Sequence, residues 1–298
     1  MSICKVEWSL AYRVHNGKYL FDDPSLLSEF KVVKNSRRYW CADPFLIDYH
    51  GEDYVFFEMY DRLKRKGCIG YRKFNSDGSM TPMKKVFEEE GHLSYPNILV
   101  HDNTIYMVPE SSASNQLYVL RAEAFPNVWR KEKVLLDGIK LVDTTFITIA
   151  DKHYLFTTPI TKDNVSLLSV CRIGNDGVID EQALSVHRIC DKSVARMGGN
   201  FLSLDDRTVR VSQDCSRSYG GGIIFSNIDE LSDESYAESE FCRISGAITI
   251  QGKVFNGIHT YNHNSKYEFI DLKTAQKFSV VEIIGYVLQR LKKISSKK

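Results

Sequence analysis

No run of eighteen apolar residues occurs in this 298-residue chain, so it offers no candidate for a helix that crosses a membrane. The N-terminus, MSICKVEWSLAYRV, has no basic stretch leading into a long apolar one, and no export signal is expected from it. The seven cysteines are odd in number, scattered and without a CxxC pair, which speaks against a disulfide framework and a zinc site. Reduced thiols in a cytoplasm fit that pattern. GxxxxGK[ST], HExxH, GxSxG and a glycine fingerprint after a strand are all missing, so the chemistries built on them have no support. Ser218-Tyr219-Gly220-Gly221-Gly222 falls between strands and reads as a loop or bulge, not a phosphate cradle. No Asp-x-Asp triplet is present to hold a metal-bound nucleotide diphosphate, and strands do not alternate with helices. A conventional nucleotide-sugar transferase domain is therefore disfavoured, and neither a metal nor a cofactor is expected. Formal net charge is +1, but Arg290, Lys292, Lys293, Lys297 and Lys298 contribute five positive charges, which leaves −4 for residues 1–289. A mildly acidic body does not form a nucleic-acid groove.

What the chain does have is a repeat of about fifty residues, a period typical of radial β architectures. Each copy is a short apolar run, a tight polar turn and a second apolar or aromatic run ending in polar residues. The copies begin at Asp43 (DPFLIDYHGEDYVFFEMYD), Pro96 (PNILVHDNTIYMVPESS), Thr144 (TTFITIADKHYLFTTP), Gly199 (GNFLSLDDRTVRVSQDC) and Ala247 (AITIQGKVFNGIHTYN). HGED, HDN, ADK, LDDR and QGK stand where a hairpin needs its turn. A third strand follows each hairpin, at 68–74, 116–124, 167–173, 221–228 and, in the fifth copy, 267–273. The expected fold is all-β: a five-bladed propeller over residues 1–277, with the strand at 6–14 joining the last blade to close the ring. Residues 278–298 change to helical periodicity and are expected to form a short amphipathic helix and basic tail.

In an antiparallel hairpin, the start of the first strand and the end of the second lie at the same end. If first strands line the channel, these positions converge from all blades. Blade one offers Asp43, Glu58 and Asp61; blade two Tyr95, Asn97 and Glu110; blade three Asp143; blade four Arg196, Gln213 and Asp214; blade five His259 and Tyr261. Asp61 and Asp214 read as solvated turn residues. Arg196 and His259 read equally as substrate ligands or as partners of the carboxylates. Carboxylates facing one another across a pocket suit glycosyl transfer, in which one group protonates the leaving oxygen while another activates the acceptor or attacks the anomeric carbon. Neighbouring charges can separate the two roles by moving their proton affinities apart. Tyr and Phe, sixteen of each, suit strands first and sugar-stacking surfaces second.

ADPFLI with FFEMYD, SYPNIL with PES, VDTTF, RMGGNF and GIHTYN together resemble the N-terminal domain of the glucosamine inositolphosphorylceramide transferase family, over roughly residues 40–265. That domain is similar in turn to five-bladed propeller glycosidases of the arabinanase and fructosidase type. The resemblance implies a base or nucleophile at Asp43 and an acid projecting from the third blade, where Asp143 stands. The second-blade Asp that tunes proton affinity is replaced by Tyr95, so that role is vacant or moves to Glu110.

The expected function is a glycosyltransferase-like enzyme of cell-surface polysaccharide or glycolipid assembly. Asp43 is the expected base, Glu110 or Asp143 the acid or charge partner, and Glu58, Tyr95, Asn97, Arg196, His259 and Tyr261 the substrate-binding residues. The expected partners are a sugar or glycan, a nucleotide sugar and a lipid-linked acceptor. A glycoside hydrolase and a non-catalytic sugar-binding propeller serving a partner transferase are the alternatives, since the plant family fuses this domain to a separate catalytic one. The expected location is the cytoplasm, at the inner face of the membrane. Two readings of the C-terminal helix stay open. Val280, Ile283, Ile284, Val287, Leu288, Leu291 and Ile294 make one apolar face, which either packs on the propeller flank or lies in an anionic membrane interface. In the second case the acidic body is expected to keep the pocket side off the membrane.

Overall fold

The computed structural model describes residues 4–160, 167–174, 177–179, 181–191, 193–204, 206–277 and 280–295; Lys297 and Lys298 lie outside them. The chain forms a five-bladed β-propeller followed by one helix, Val280–Ser295. Blade one is Tyr39–Tyr49, Glu52–Asp61, Lys66–Lys73 and Lys84–Phe87, and blade two is Ser94–His101, Thr104–Glu110, Gln116–Ala124 and Val128–Asp137. Blade three is Leu141–Ile149, Lys152–Pro159, Leu168–Ile173 and His187–Ile189, and blade four is Leu202–Ser203, Thr208–Asp214, Gly222–Leu231 and Tyr236–Ser245. The inner hairpins turn where the sequence says they should. His50-Gly51, Asp102-Asn103 and Ala150-Asp151 each place two successive residues at positive φ. That is the turn whose twist matches the flanking strands.

The fifth blade departs from the expected phase. Ile248–Ile250 and Lys253–Phe255 do form a hairpin, but it stands apart as a two-stranded sheet. The blade itself runs Tyr261–His263, Tyr267–Lys277, Cys4–Val14 and Lys31–Val32. YEFIDLK is thus its second strand, not its third. The N-terminal strand closes the ring by pairing with Tyr267–Lys277 along all eleven of its residues, which leaves no open edge between the first and last blades.

Between blades, the core is aromatic and aliphatic: Phe45, Phe56, Tyr95, Tyr118 and Phe156 are fully buried in one cluster, and Phe225, Ile250, Phe255 and Tyr261 in another. Around the channel the blades are tied by polar side chains. The Tyr95 hydroxyl accepts the Gly199 N–H at 2.9 Å and lies 2.8 Å from Thr145 Oγ1. Asn97 donates to Asn200 Oδ1 at 2.6 Å, Asn262 Oδ1 accepts the Asn200 N–H at 2.8 Å, and Asn262 Nδ2 donates to the Pro44 carbonyl at 2.7 Å. Within the fifth blade, Tyr261 donates to the buried carboxylate of Glu268.

The helix docks on the turn between the second and third strands of blade one. A Cβ at Gly285 would lie 2.5 Å from the Arg62 carbonyl and 2.7 Å from that of Leu63, so the helix backbone rides directly on the turn. Glu282, which pairs with Lys5, and Gly285 are its buried residues. The apolar face is not the face that packs.

Removing one channel tie has a defined cost. Tyr95→Phe keeps the ring but leaves the buried Gly199 N–H without its acceptor. The expected loss is about 1–3 kcal/mol, measured by chemical denaturation, with the propeller's circular dichroism unchanged. A variant as stable as the parent would show that the hydroxyl is not a tie.

Candidate active site

The first strands of blades one, two and three share one backbone device. Each carries a β-bulge, between Ala42 and Phe45, Ser94 and Asn97, and Val142 and Thr145. The residue inside each bulge is left-handed: Asp43 at φ 51°, Tyr95 at 44° and Asp143 at 51°. Non-glycine residues adopt that conformation at a cost, and such strain concentrates at functional sites. Opposite these positions, each second strand presents a polar side chain. Ala42 pairs with Glu58, Ser94 with Glu110 and Val142 with Thr158. Gln213 donates its N–H to the Arg196 carbonyl, and Asp271 donates its own to that of Thr260. Glu58, Glu110, Thr158, Gln213 and Asp271 thus form a ring, one from each blade.

Asp43 is 6% exposed and held on both oxygens. Oδ1 accepts the Thr260 hydroxyl at 3.0 Å and Oδ2 the Tyr95 N–H at 3.1 Å. Its own N–H donates to Asp271 Oδ2 at 3.0 Å. Asp271 also accepts the N–H groups of His259 and Thr260 and faces His259 Nδ1 at 2.6 Å. His259 Nε2 stands 3.7 Å from Asp43 Oδ1, and the ring stacks under Trp8 with centroids 3.7 Å apart. Gly220 makes that cover possible: at φ +61°, any Cβ there would meet the Trp8 ring at 2.5 Å. Across the pocket, Arg196 donates to Asp143, which also accepts Gln213 Nε2 at 3.0 Å, and the guanidinium lies 4.9 Å from the Tyr219 ring. Glu110, half-buried, accepts the Ser112 hydroxyl at 3.1 Å. Glu58 is 5% exposed, and its Oε1 finds no hydrogen bond among the described residues. His92 Nε2 stands 3.4 Å from that oxygen, while its Nδ1 accepts the Gly67 N–H.

These surroundings hold protons where free carboxylates would release them. Burial pushes Asp43 up to about 6; His259 opposes the shift, while Asp271 and Asp143 add to it. Burial, then Asp143, lifts Glu110 to about 7 against the pull of Arg196. Burial, with Asp43 and Glu110, raises Glu58 well above its ordinary value. Burial alone would lower His259, but the carboxylates of Asp271, Asp43 and Asp143 outweigh it and raise the ring's affinity for its proton. Groups this close release their protons in steps that belong to the cluster.

Among the described residues, Asp43, His259 and Asp271 are the group whose ligand atoms lie within 4.8 Å of one another, as a metal site requires. The lone pairs facing inward are already met by the N–H groups and the Thr260 hydroxyl above. The His259 ring already bridges the two carboxylates, with Nδ1 2.6 Å from Asp271 and Nε2 3.7 Å from Asp43.

Asp43, Glu58, Glu110, Asp143, Arg196 and His259 are brought together. Tyr95, Asn97 and Tyr261 are fully buried: Tyr95 bonds Thr145 and Gly199, the Asn97 amide donates to Asn200, and Tyr261 donates to Glu268 of its own blade, so the substrate contacts expected of them are corrected to structural ones. His259, at 3% exposure, acts on Asp43 and lies behind it. Asp61 and Asp214 are buried, not solvated, and pair with Arg38 and Arg243. Sequence reasoning missed Asp271, Trp8, His92 and Tyr219. Shifting the fifth repeat by one strand would have found Asp271, since it is that blade's second-strand residue.

Residues 23–282 match the family described as "Glucosamine inositolphosphorylceramide transferase 1, N-terminal". The chain belongs to this family. It is 30% identical to glucosamine inositolphosphorylceramide transferase 1 of Arabidopsis thaliana over 298 residues, covering 96% of this chain and 39% of that protein. Its likeness to the Oryza sativa subsp. indica protein of the same name is 30% over 205 residues, or 67% and 27%. The chain therefore spans less than two-fifths of the relatives it matches. Among solved structures it resembles the α-L-arabinofuranosidase of Podospora anserina in complex with cellotriose (TM-score 0.54, 13% identity, 78% of this chain and 90% of that one). It also resembles the α-L-arabinofuranosidase of Clostridium thermocellum (TM-score 0.53, 12% identity, 77% and 83%). At such identities the likeness concerns the fold alone.

Glu58 gives the site a measurable signature. Its folded-state proton affinity is raised, so the native protein keeps a proton that the unfolded chain releases above about pH 4.5. Stability therefore falls as pH rises through that window, at up to about 1.4 kcal/mol per pH unit. Glu58→Gln should match the parent near pH 4.5 and exceed it by roughly 1–3 kcal/mol at pH 8, measured by denaturant titration. A pH-independent difference would show that Glu58 is not held protonated.

Proposed function

We propose that the central pocket binds a sugar and carries out acid–base glycosyl transfer in the assembly of a cell-surface polysaccharide or glycolipid. The observation that carries this reading is the pair Asp43 and Glu110, two carboxylates in one pocket whose proton affinities are raised to about 6 and about 7. Between those values Asp43 is ionised and Glu110 protonated, the division of labour that transfer needs. Asp43 takes the proton of the acceptor hydroxyl as that oxygen bonds the anomeric carbon, and Glu110 gives its proton to the departing oxygen. Asp143 acts as the charge partner that fixes Arg196, whose guanidinium answers a phosphate on the donor. Trp8 and Tyr219 supply aromatic surface beside the acids.

The relatives' name supports the choice of substrates to try first. Glucosamine carries an amine, and an ammonium is drawn to the ionised carboxylate of Asp43. The donor is proposed to be a nucleotide-linked amino sugar, the acceptor a lipid-linked glycan or inositol phospholipid. A second reading, a sugar-binding propeller beside a separate catalytic domain, is favoured by the match to the N-terminal part of longer relatives.

Intact-mass analysis of such acceptors, with and without nucleotide sugars, separates the readings. Transfer adds the mass of a sugar, hydrolysis removes one and binding alone changes nothing. The expected result is addition, with a bell-shaped pH profile falling below about pH 6 as Asp43 protonates and above about pH 7 as Glu110 ionises. Asp43→Asn and Glu110→Gln should each lower the rate by about 10²–10⁴-fold. Full activity in both variants would overturn the assignment.

A further inference from the structure

The helix Val280–Ser295 presents its apolar face to solvent. Its protein-facing side consists of Val281, Glu282, Gly285 and Gln289, with the Gln289 amide 3.4 Å from the Lys64 carbonyl. Diametrically opposite, Val280, Ile283, Ile284, Val287, Leu288 and Leu291 are 47–72% exposed. Single exposed apolar residues are ordinary, but six contiguous ones on a single stripe mark an interaction surface. Tyr286 lies on the boundary of the stripe, 5.2 Å from the guanidinium of Arg65 on the propeller and likewise from that of Arg290.

Charge decides what the stripe meets. No acid follows Glu282 in the sequence, whereas Arg290, Lys292, Lys293, Lys297 and Lys298 do. The complementary surface must therefore be apolar beneath an anionic layer. A second copy of the helix offers the apolar half and repeats the same cations. An anionic bilayer offers both halves, and an amphipathic helix with a basic end is the form that lies in its interface.

The position of the helix gives this docking an orientation. The turn it rides on follows Asp61, whose pairing with Tyr39 places it at the end of blade one that carries Asp43 and Glu58. Lys5, its ion-pair partner, lies three residues before Trp8, the cover of His259. The helix therefore stands at the end of blade one that carries Asp43 and Glu58, and the inference drawn from this departs from the expectation that the acidic body turns the pocket side away from the membrane. We infer that the helix Val280–Ser295 forms an interfacial anchor for anionic lipid that holds the Asp43 end of the propeller at the headgroup layer. Docking is independent of the pocket's chemistry; the access it gives to a lipid-linked acceptor rests on the function proposed above.

The test is co-sedimentation of the full chain with vesicles of phosphatidylglycerol and phosphatidylcholine, and with vesicles of phosphatidylcholine alone. The parent is expected to bind the anionic vesicles about tenfold or more tightly than the neutral ones, and to be released by salt. Ile283→Gln/Val287→Gln/Leu291→Gln changes only solvent-facing positions, so the fold should persist, and binding should drop by about tenfold or more. Arg290→Gln/Lys293→Gln should remove much of the salt-sensitive part, while Val254→Gln, an exposed apolar residue on the separate Ile248–Phe255 hairpin, should change nothing. Equal binding by parent and triple variant would overturn the inference. So would a parent that ignores vesicles and is a dimer which the triple variant turns into a monomer, because a second copy would then be the occupant. Since neither readout uses sugar transfer, failure here leaves the proposed reaction standing, and the reverse also holds.

Discussion

The carboxylate of Asp271 is where the fold and the site meet. It accepts N–H groups from His259, Thr260 and Asp43, which belong to the last and first blades, and it holds the His259 imidazole by its Nδ1. A buried charge survives only when its partners are all in place, so this one group requires the two ends of the ring to come together. Its strand is the one that the N-terminal strand closes, with Leu10 opposite Asp271 and Trp8 two residues further along. Ring closure, the cover over His259 and the setting of Asp43 are consequently one event. A propeller whose closure strand came loose would lose its site before it lost its core.

Four neighbouring carboxyl groups act on one another, and the structure answers that unevenly. Asp143 is given Arg196 and Asp43 is given His259 behind it. Glu110 is close enough to Arg196 to feel it, and Glu58 has only the neutral His92 nearby, whose own affinity burial lowers. The two groups with weaker positive company are therefore the ones that keep protons. Together with three left-handed residues in consecutive blades, this is a centre that costs stability to maintain. The channel ties by Tyr95, Asn97 and Asn262 lie beside it and oppose that cost.

The fold is shared with α-L-arabinofuranosidases and the sequence with the N-terminal part of plant glucosamine inositolphosphorylceramide transferases. Folds carry many chemistries, and function lies in the residues grafted onto them. Here those residues differ from blade to blade at one level: Glu, Glu, Thr, Gln and Asp on the second strands.

Four blades were legible because each hairpin carries its signals within twenty residues: alternation, a turn pair able to adopt positive φ, and a polar end. Asp43, Glu58, Glu110, Asp143, Arg196 and His259 followed from antiparallel geometry alone. The fifth blade was misphased because Ile248–Phe255 satisfies the same local rules and forms a hairpin that belongs to no blade; which hairpin enters the ring is settled by pairing with a strand more than 250 residues away. The roles of Tyr95, Asn97 and Tyr261 were likewise beyond the sequence, since a polar side chain near a channel looks the same whether it meets substrate or other parts of the ring. The helix shows the division most plainly. Its periodicity fixed which residues share a face, a matter of 3.6 residues per turn. Only tertiary packing decided which face meets the protein, because Gly285 allows the backbone to seat on the turn after Asp61 and the larger apolar side chains do not.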